Sequence, residues 1–194
     1  MTRDWLPFLL SESDPPAKRA ILVTALELFA TRGIDGVTIR DIAAETGFSN
    51  PAMFRHFKSK EHLARRLFES CYRRLSYAFC NPEIGLAGAL GRGLELIEVS
   101  PESVHFVLEN LRRYWRELPA DLRANSILGS MRRLIEAEQK AGRIRAGIDP
   151  QLASALVLGA LGQIARMAHF NELPRPPSAL AGDLFGLLDR GLGA

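Results

Sequence analysis

The 194 residues can bury a real core and form either one large domain or a small domain joined to a larger one. A composition of 47% hydrophobic and 24% charged residues is that of an ordinary soluble globular protein, with no internal repeat or low-complexity tract. The net charge of +3 is concentrated: residues 1–80 carry 12 Lys/Arg against 9 Asp/Glu, and residues 81–194 carry 13 of each, so a polyanionic partner is favoured at the first end, although so small an excess does not argue nucleic acid by itself.

Residues 1–16 are expected to form an apolar N-terminal arm, with Trp5, Phe8 and Leu9 docked on something and Asp14-Pro15-Pro16 ending it. The run Trp5–Leu10 is too short for a signal peptide and follows Asp4 rather than a basic region. Lys18 to Arg32 reads as a first helix with Leu22, Ala25, Leu26 and Phe29 on one stripe, ended by Gly33 and Gly36. Thr38 can cap a second helix, with Asp41 three residues on and Ile39, Ile42 and Ala43 on its apolar face. Gly47 stops that helix, because a left-handed residue after the last turn costs glycine nothing. Ser49 caps a third helix whose first turn accepts Pro51, and Met53, Phe54 and Phe57 alternate there with Asn50, Arg55, His56 and Lys58. Two short helices joined by a tight turn, the second with one oily face and one face of donors, form a helix-turn-helix suited to the DNA major groove.

Beyond it, Ser59 caps a long helix to about Phe79, closed by Asn81-Pro82. Glu83–Val99 reads as one helix, and Ser100-Pro101 opens another carrying Val104, Leu108, Leu111, Trp115 and Leu118, a repeat that fits a helix packed between neighbours and broken by Pro119. A single helix is expected from about Asp121 to Arg143, another from Asp149-Pro150 to about Asn171, and, after the linker at residues 173–177, a last amphipathic one with Leu180, Leu184, Leu187 and Leu188. No strand pattern stands out, so the fold class is all-α. Cys71 and Cys80, nine residues apart on one helix, would lie roughly 13 Å apart, beyond disulfide reach, and read as buried or inert thiols.

Chemistry sorts the helix-turn-helix residues by role. Asn50 and Arg40 are the leading base readers, since amide and guanidinium groups make bidentate pairs with adenine and guanine. Pro51, Ala52 and Arg55 line the same face, whereas Ile39, Ile42, Ala43, Phe48, Met53 and Phe57 are core.

From about Lys18 to Phe68 the chain resembles the tetracycline-repressor (TetR) family of transcriptional regulators. The resemblance runs through Ile21-Leu22-x-x-Ala25-Leu26-x-Leu28-Phe29, Gly33-x-x-Gly36-Val37-Thr38-Ile39, Ile42-Ala43, Gly47-Phe48-Ser49 and Phe57-x-x-Lys60-Glu61-x-Leu63. Pro51 stands where the family commonly has glycine, and Phe54 where it commonly has a tyrosine whose hydroxyl meets a phosphate. The resemblance implies phosphate contacts from Thr38, Ser49, His56 and Lys60. It also implies an N-terminal three-helix DNA-binding domain at 17–64, followed by a larger helical bundle at 65–194 for ligand binding and dimerisation.

No catalytic constellation is legible in the bundle: no Gly-rich phosphate loop, nucleophile elbow or paired carboxylates, and His56, His62, His105 and His169 have no metal-ligand spacing. No enzyme activity, metal or cofactor is expected. What the bundle supplies is adaptable side chains broken by polar ones, and His105, Phe106, Tyr114, Trp115, Met131, Gln163 and Met167 are the candidates to line an effector pocket. The uncharged run Pro150–Ala165 falls short of the ~18 to 20 residues a spanning helix needs. Apolar all round, it must be covered on every side. Leu152, Ala155, Gly159 and Gly162, together with Leu180, Leu184 and Leu187, therefore look like the family's dimer interface.

The reading is a cytoplasmic homodimeric DNA-binding regulator, expected to be a repressor of a pseudo-palindromic operator on double-stranded DNA, released by a small lipophilic or aromatic effector and with no membrane partner. The alternatives are a ligand-independent DNA-binding factor and a helical protein–protein interaction module that no longer reads DNA. A small-molecule binder or enzyme comes third.

Overall fold

A computed structural model describes residues 15–193; residues 1–14 of the expected N-terminal arm lie outside them, while Pro15 and Pro16, expected to close that arm, instead cap and open the first helix. The expected all-α class is observed: among the described residues there are ten α-helices, short 3₁₀ turns and no strand, only an isolated bridge between Ile144 and Gly193.

Helices α1 (Pro16–Arg32), α2 (Ile39–Thr46) and α3 (Asn50–His56) form the N-terminal unit. Their boundaries follow local chemistry. The Thr38 hydroxyl accepts from the Asp41 N–H while the Asp41 carboxylate accepts from the Thr38 N–H at 2.7 Å, a complete capping box. These hydrogen bonds to its charged form, from the Thr38 backbone first, hold the Asp41 carboxyl below its ordinary range. Gly47 takes φ 73°, the left-handed conformation that makes the tight turn. Ile42, Ala43, Met53 and Phe57 are buried and Ile39 and Phe48 half-buried, closing a small core over α1.

Helix α4 (Lys60–Phe79), capped by Ser59, carries the chain into the bundle of α5 (Gly85–Val99), α6 (Pro101–Tyr114), α7 (Ala120–Ala124), α8 (Ile127–Lys140), α9 (Pro150–His169) and α10 (Ala181–Leu192). The single helix expected over 121–143 is two helices. The chain breaks at Asn125-Ser126, and the Ser126 hydroxyl accepts from the Gly129 N–H to start α8. Helix α6 lies at the centre, packed against α1, α4, α5 and α9.

Three expectations about packing need correction. Leu108 and Leu111, expected between neighbours, are 43% and 37% exposed, because that side of α6 faces a cavity. Cys71 is buried, its thiol pushed up to about 12 by burial, but Cys80 is exposed at the end of α4. Helix α9, with 20 residues, is long and apolar enough to cross a membrane by length and composition, against expectation. It packs instead on α5, α6 and α8 through Ala153, Val157, Leu161 and Ala165, while Leu152 and Leu156 on its other side remain exposed rather than covered.

Candidate DNA-binding and ligand-binding sites

The helix-turn-helix presents most of its expected contacts outward. Arg40, Ser49, Pro51, Phe54 and Arg55 are exposed, and Asn50, Ala52 and His56 are half-exposed along α3. Ser49 caps α3 without a side-chain hydrogen bond, so its hydroxyl is not engaged by the cap. Thr38 is exposed, yet its hydroxyl is held in the capping box, where it also donates to Asp41 at 2.8 Å.

Lys60 sits differently from the expectation. Its Nζ donates to the carbonyl oxygens of Ile34 and Val37, at 2.7 and 2.8 Å, and is partly buried. The ammonium ties the loop after α1 to the start of α4 rather than reaching outward. Its partners lie 26 and 23 residues away in sequence, beyond any local pattern.

The sequence model described as "Bacterial regulatory proteins, tetR family" matches residues 21–67, which span α1 to the middle of α4 and contain the whole helix-turn-helix. Residues 21–67 form a TetR-type DNA-binding segment. Transcriptional regulators align with the chain at differing lengths. It is 28% identical over 148 residues to the transcriptional repressor KstR2 of Rhodococcus jostii, covering 69% of this chain and 70% of that one. A 46-residue match to the uncharacterized regulator YerO of Bacillus subtilis is 48% identical and covers 24% of this chain and 16% of the other. The solved structure of the ketosteroid transcriptional regulator KstR2 of Mycobacterium tuberculosis superposes with a TM-score of 0.80 at 19% identity, over 94% of this chain and 97% of that one. The whole described fold, beyond the DNA-binding helices, is therefore TetR-like, and the chain is a DNA-binding transcriptional regulator.

Inside this TetR-type bundle a cavity of about 810 Å³ opens beside α6, within the range of small-molecule sites. One side of α6 supplies Val104, Val107, Leu108 and Leu111; α4 supplies Tyr72, Leu75 and Phe79; α9 supplies Leu158, Leu161 and Gly162. Trp115 and Leu128 close its edge, with the Trp115 ring set edge-on to Tyr72 at 6.1 Å. Gly93 of α5 forms part of its wall, and a Cβ there would crowd the Phe79 ring at 3.1 Å.

Of the residues expected to line an effector pocket, only Trp115 does so here. Phe106, Tyr114 and Met131 are fully buried in the core, and Gln163 is exposed on α9. Met167 is half-buried and also away from the cavity. The expectation picked polar and aromatic residues, whereas the lining is mostly aliphatic and came from the Leu108 and Leu111 side of the repeat. His105 instead stacks on His169, ring centroids 4.0 Å apart, with Phe170 edge-on to both. Burial holds the His105 imidazole below its ordinary pKa, with a further push from His169. Among the described residues no group of three His, Cys, Asp or Glu could hold a metal ion.

The opposite side of α6 meets the DNA-binding unit. Phe106 stacks on Phe29 of α1 at 6.1 Å, and the Arg113 guanidinium donates to Asp35 in the loop after α1 at 3.2 Å and to Glu61 of α4 at 2.8 Å. One helix thus touches the cavity and the DNA-binding helices at once.

The expected dimer residues divide in the same way. Leu152, Ala155, Gly159 and Leu187 are exposed, joined by Leu156 and Phe185, which the sequence reading missed. Leu184 is buried within the subunit, as is Leu188, while Leu180 is half-buried and Gly162 packs toward Leu108 at the cavity.

Proposed function

We propose that this protein is a homodimeric repressor that leaves its operator when an apolar small molecule fills the cavity beside α6. The observation that carries the reading is the double contact of α6. Val104, Val107, Leu108 and Leu111 face the cavity, while Phe106 and Arg113 grip α1, the loop after it and α4. An occupant that prefers one position of α6 biases the position of the helix-turn-helix, and only that difference in affinity between positions can move the equilibrium. The named action of KstR2 as a repressor supports the sign.

The roles within the DNA-binding unit, taken as residues 17–64, are those of chemistry and exposure. Arg40 and Asn50 read bases, and Ser49 and His56 meet phosphates beside Pro51, Ala52, Phe54 and Arg55. Two subunits join through the open apolar sides of α9 and α10, where Leu152, Leu156, Phe185 and Leu187 would be covered. That spacing would set the two recognition helices on successive major grooves of a pseudo-palindromic site.

The test begins by selecting bound fragments from source genomic DNA to obtain the operator, then titrates the complex with a panel of hydrophobic metabolites while following fluorescence in a Trp5→Phe chain, where Trp115 alone emits. An active compound must weaken operator binding by the same factor by which operator weakens the compound. If the panel leaves both Trp115 emission and operator affinity unchanged, the effector reading falls.

A further inference from the structure

Resting on the reading of the cavity as an effector site, we infer that its ligand is an anionic amphiphile, an apolar body with a carboxylate or phosphate head held at the rim by Arg112 and Arg116. The two arginines are four residues apart, at the end of α6 and in the turn Trp115–Glu117 that follows, and both border the cavity. No Asp or Glu borders it. Among the described residues neither guanidinium has a carboxylate at ion-pair distance, although nearby arginines do: Arg113 pairs with Asp35 and Glu61, Arg65 with Glu117, and Arg73 with Asp121. The contrast with the other recesses is chemical. The others also carry arginines but always with carboxylates: Arg175 with Glu27, Glu98 and Glu102 between α1 and the 171–177 linker, Arg143 and Arg190 with Glu138 and Asp189 beside α10, and Arg32 and Arg113 with Asp35 and Glu109 between α1 and α6.

Cations at a helix C-terminus are favourable in themselves, which accounts for basic residues at the end of α6. It does not account for a cavity rim that has two uncommitted guanidiniums and no counter-charge. A ligand anion sunk among Leu, Val and Phe side chains would lose its hydration without compensation. At the rim it keeps water on one side and gains charge-assisted, planar hydrogen bonds on the other, the geometry in which arginine binds carboxylate and phosphate.

The experiment uses the full chain and two apolar bodies carrying different heads: 5β-cholan-24-oate against 5β-cholan-24-ol, and dodecanoate and dodecyl phosphate against dodecan-1-ol. Binding is read from tryptophan emission and by calorimetry. Each anion should bind about tenfold more tightly than its alcohol at low salt, and the advantage should shrink as salt screens the rim. Arg112→Gln with Arg116→Gln should erase it. Dodecanoate above dodecyl phosphate assigns a carboxylate head, and the reverse order a phosphate head; either supports the inference. Equal affinities for anions and alcohols in the unsubstituted protein overturn it and leave the cavity reading standing. A preference that persists in the double variant overturns the assignment to these arginines. If none of the five compounds binds, this inference fails, and the effector reading is decided by the hydrophobic panel.

Discussion

Replacing Lys60 by methionine separates a structural ammonium from a DNA contact. Methionine keeps the apolar stem but removes the charge that donates to the Ile34 and Val37 carbonyls at 2.7 and 2.8 Å. A hydrogen bond to a charged group contributes about 1.5–3 kcal/mol, and two sharing one half-buried ammonium, discounted for the water that can replace it, come to about 2–4 kcal/mol. For a chain of this size that lowers the melting temperature by about 4–16 °C. Denaturant melts followed by far-UV circular dichroism measure the loss, and operator binding measured well below the melting point should retain its dependence on salt concentration. Unchanged stability together with a salt slope reduced by about one ion would refute the argument and return Lys60 to the phosphates.

Three further outcomes are expected. Arg40→Ala or Asn50→Ala should lower discrimination between operator and random DNA by about 1–3 kcal/mol; equal losses on both DNAs in mobility-shift titrations would remove these residues as base readers. Leu187→Glu should split the dimer in sedimentation experiments while leaving each subunit folded, whereas Leu184→Ala should leave association intact and cost about 2–5 kcal/mol in unfolding free energy. His105 resists its proton when folded, so as pH falls through about 6.5 the unfolded chain binds a proton that the native chain refuses, and stability declines until the depressed folded pKa is passed. His105→Leu should remove that part of the decline, read as the melting temperatures of variant and parent between pH 7.5 and 5.5, and parallel curves would disprove it. His62, depressed chiefly by burial, keeps its own contribution in both proteins.

What could be read from the sequence was local. The capping box at Thr38 and Asp41, the left-handed Gly47 and the Ser59 cap are each decided within four residues, and each is found where the pattern puts it. The helix break at Asn125-Ser126 is local too, but the apolar spacing runs on through it and hides it. The remainder depends on distant partners. Lys60 finds carbonyls more than twenty residues away, and His105 finds His169 from another helix. Helix α10 has apolar residues on two sides, so periodicity alone could not say that Leu184 and Leu188 turn inward while Phe185 and Leu187 turn out. An effector pocket in the bundle is expected from the sequence, but its lining is not legible there for a related reason: aliphatic residues lining a void have the same sequence signature as those filling a core.

Two glycines help to bound that void, and their absent side chains amount to an adjustable gauge. A first methyl at Gly93 would press on the Phe79 ring at 3.1 Å, while one at Gly162 would meet Leu108 at an ordinary 3.8 Å. Position 162 therefore accepts a methyl at ordinary contact, trimming the space for the molecule that enters, whereas position 93 tolerates one only if Phe79 gives way. Neither position belongs to the recognition helix or to the Arg113 clip. A lineage could thus change the molecule it answers to while the address it reads on DNA stays the same.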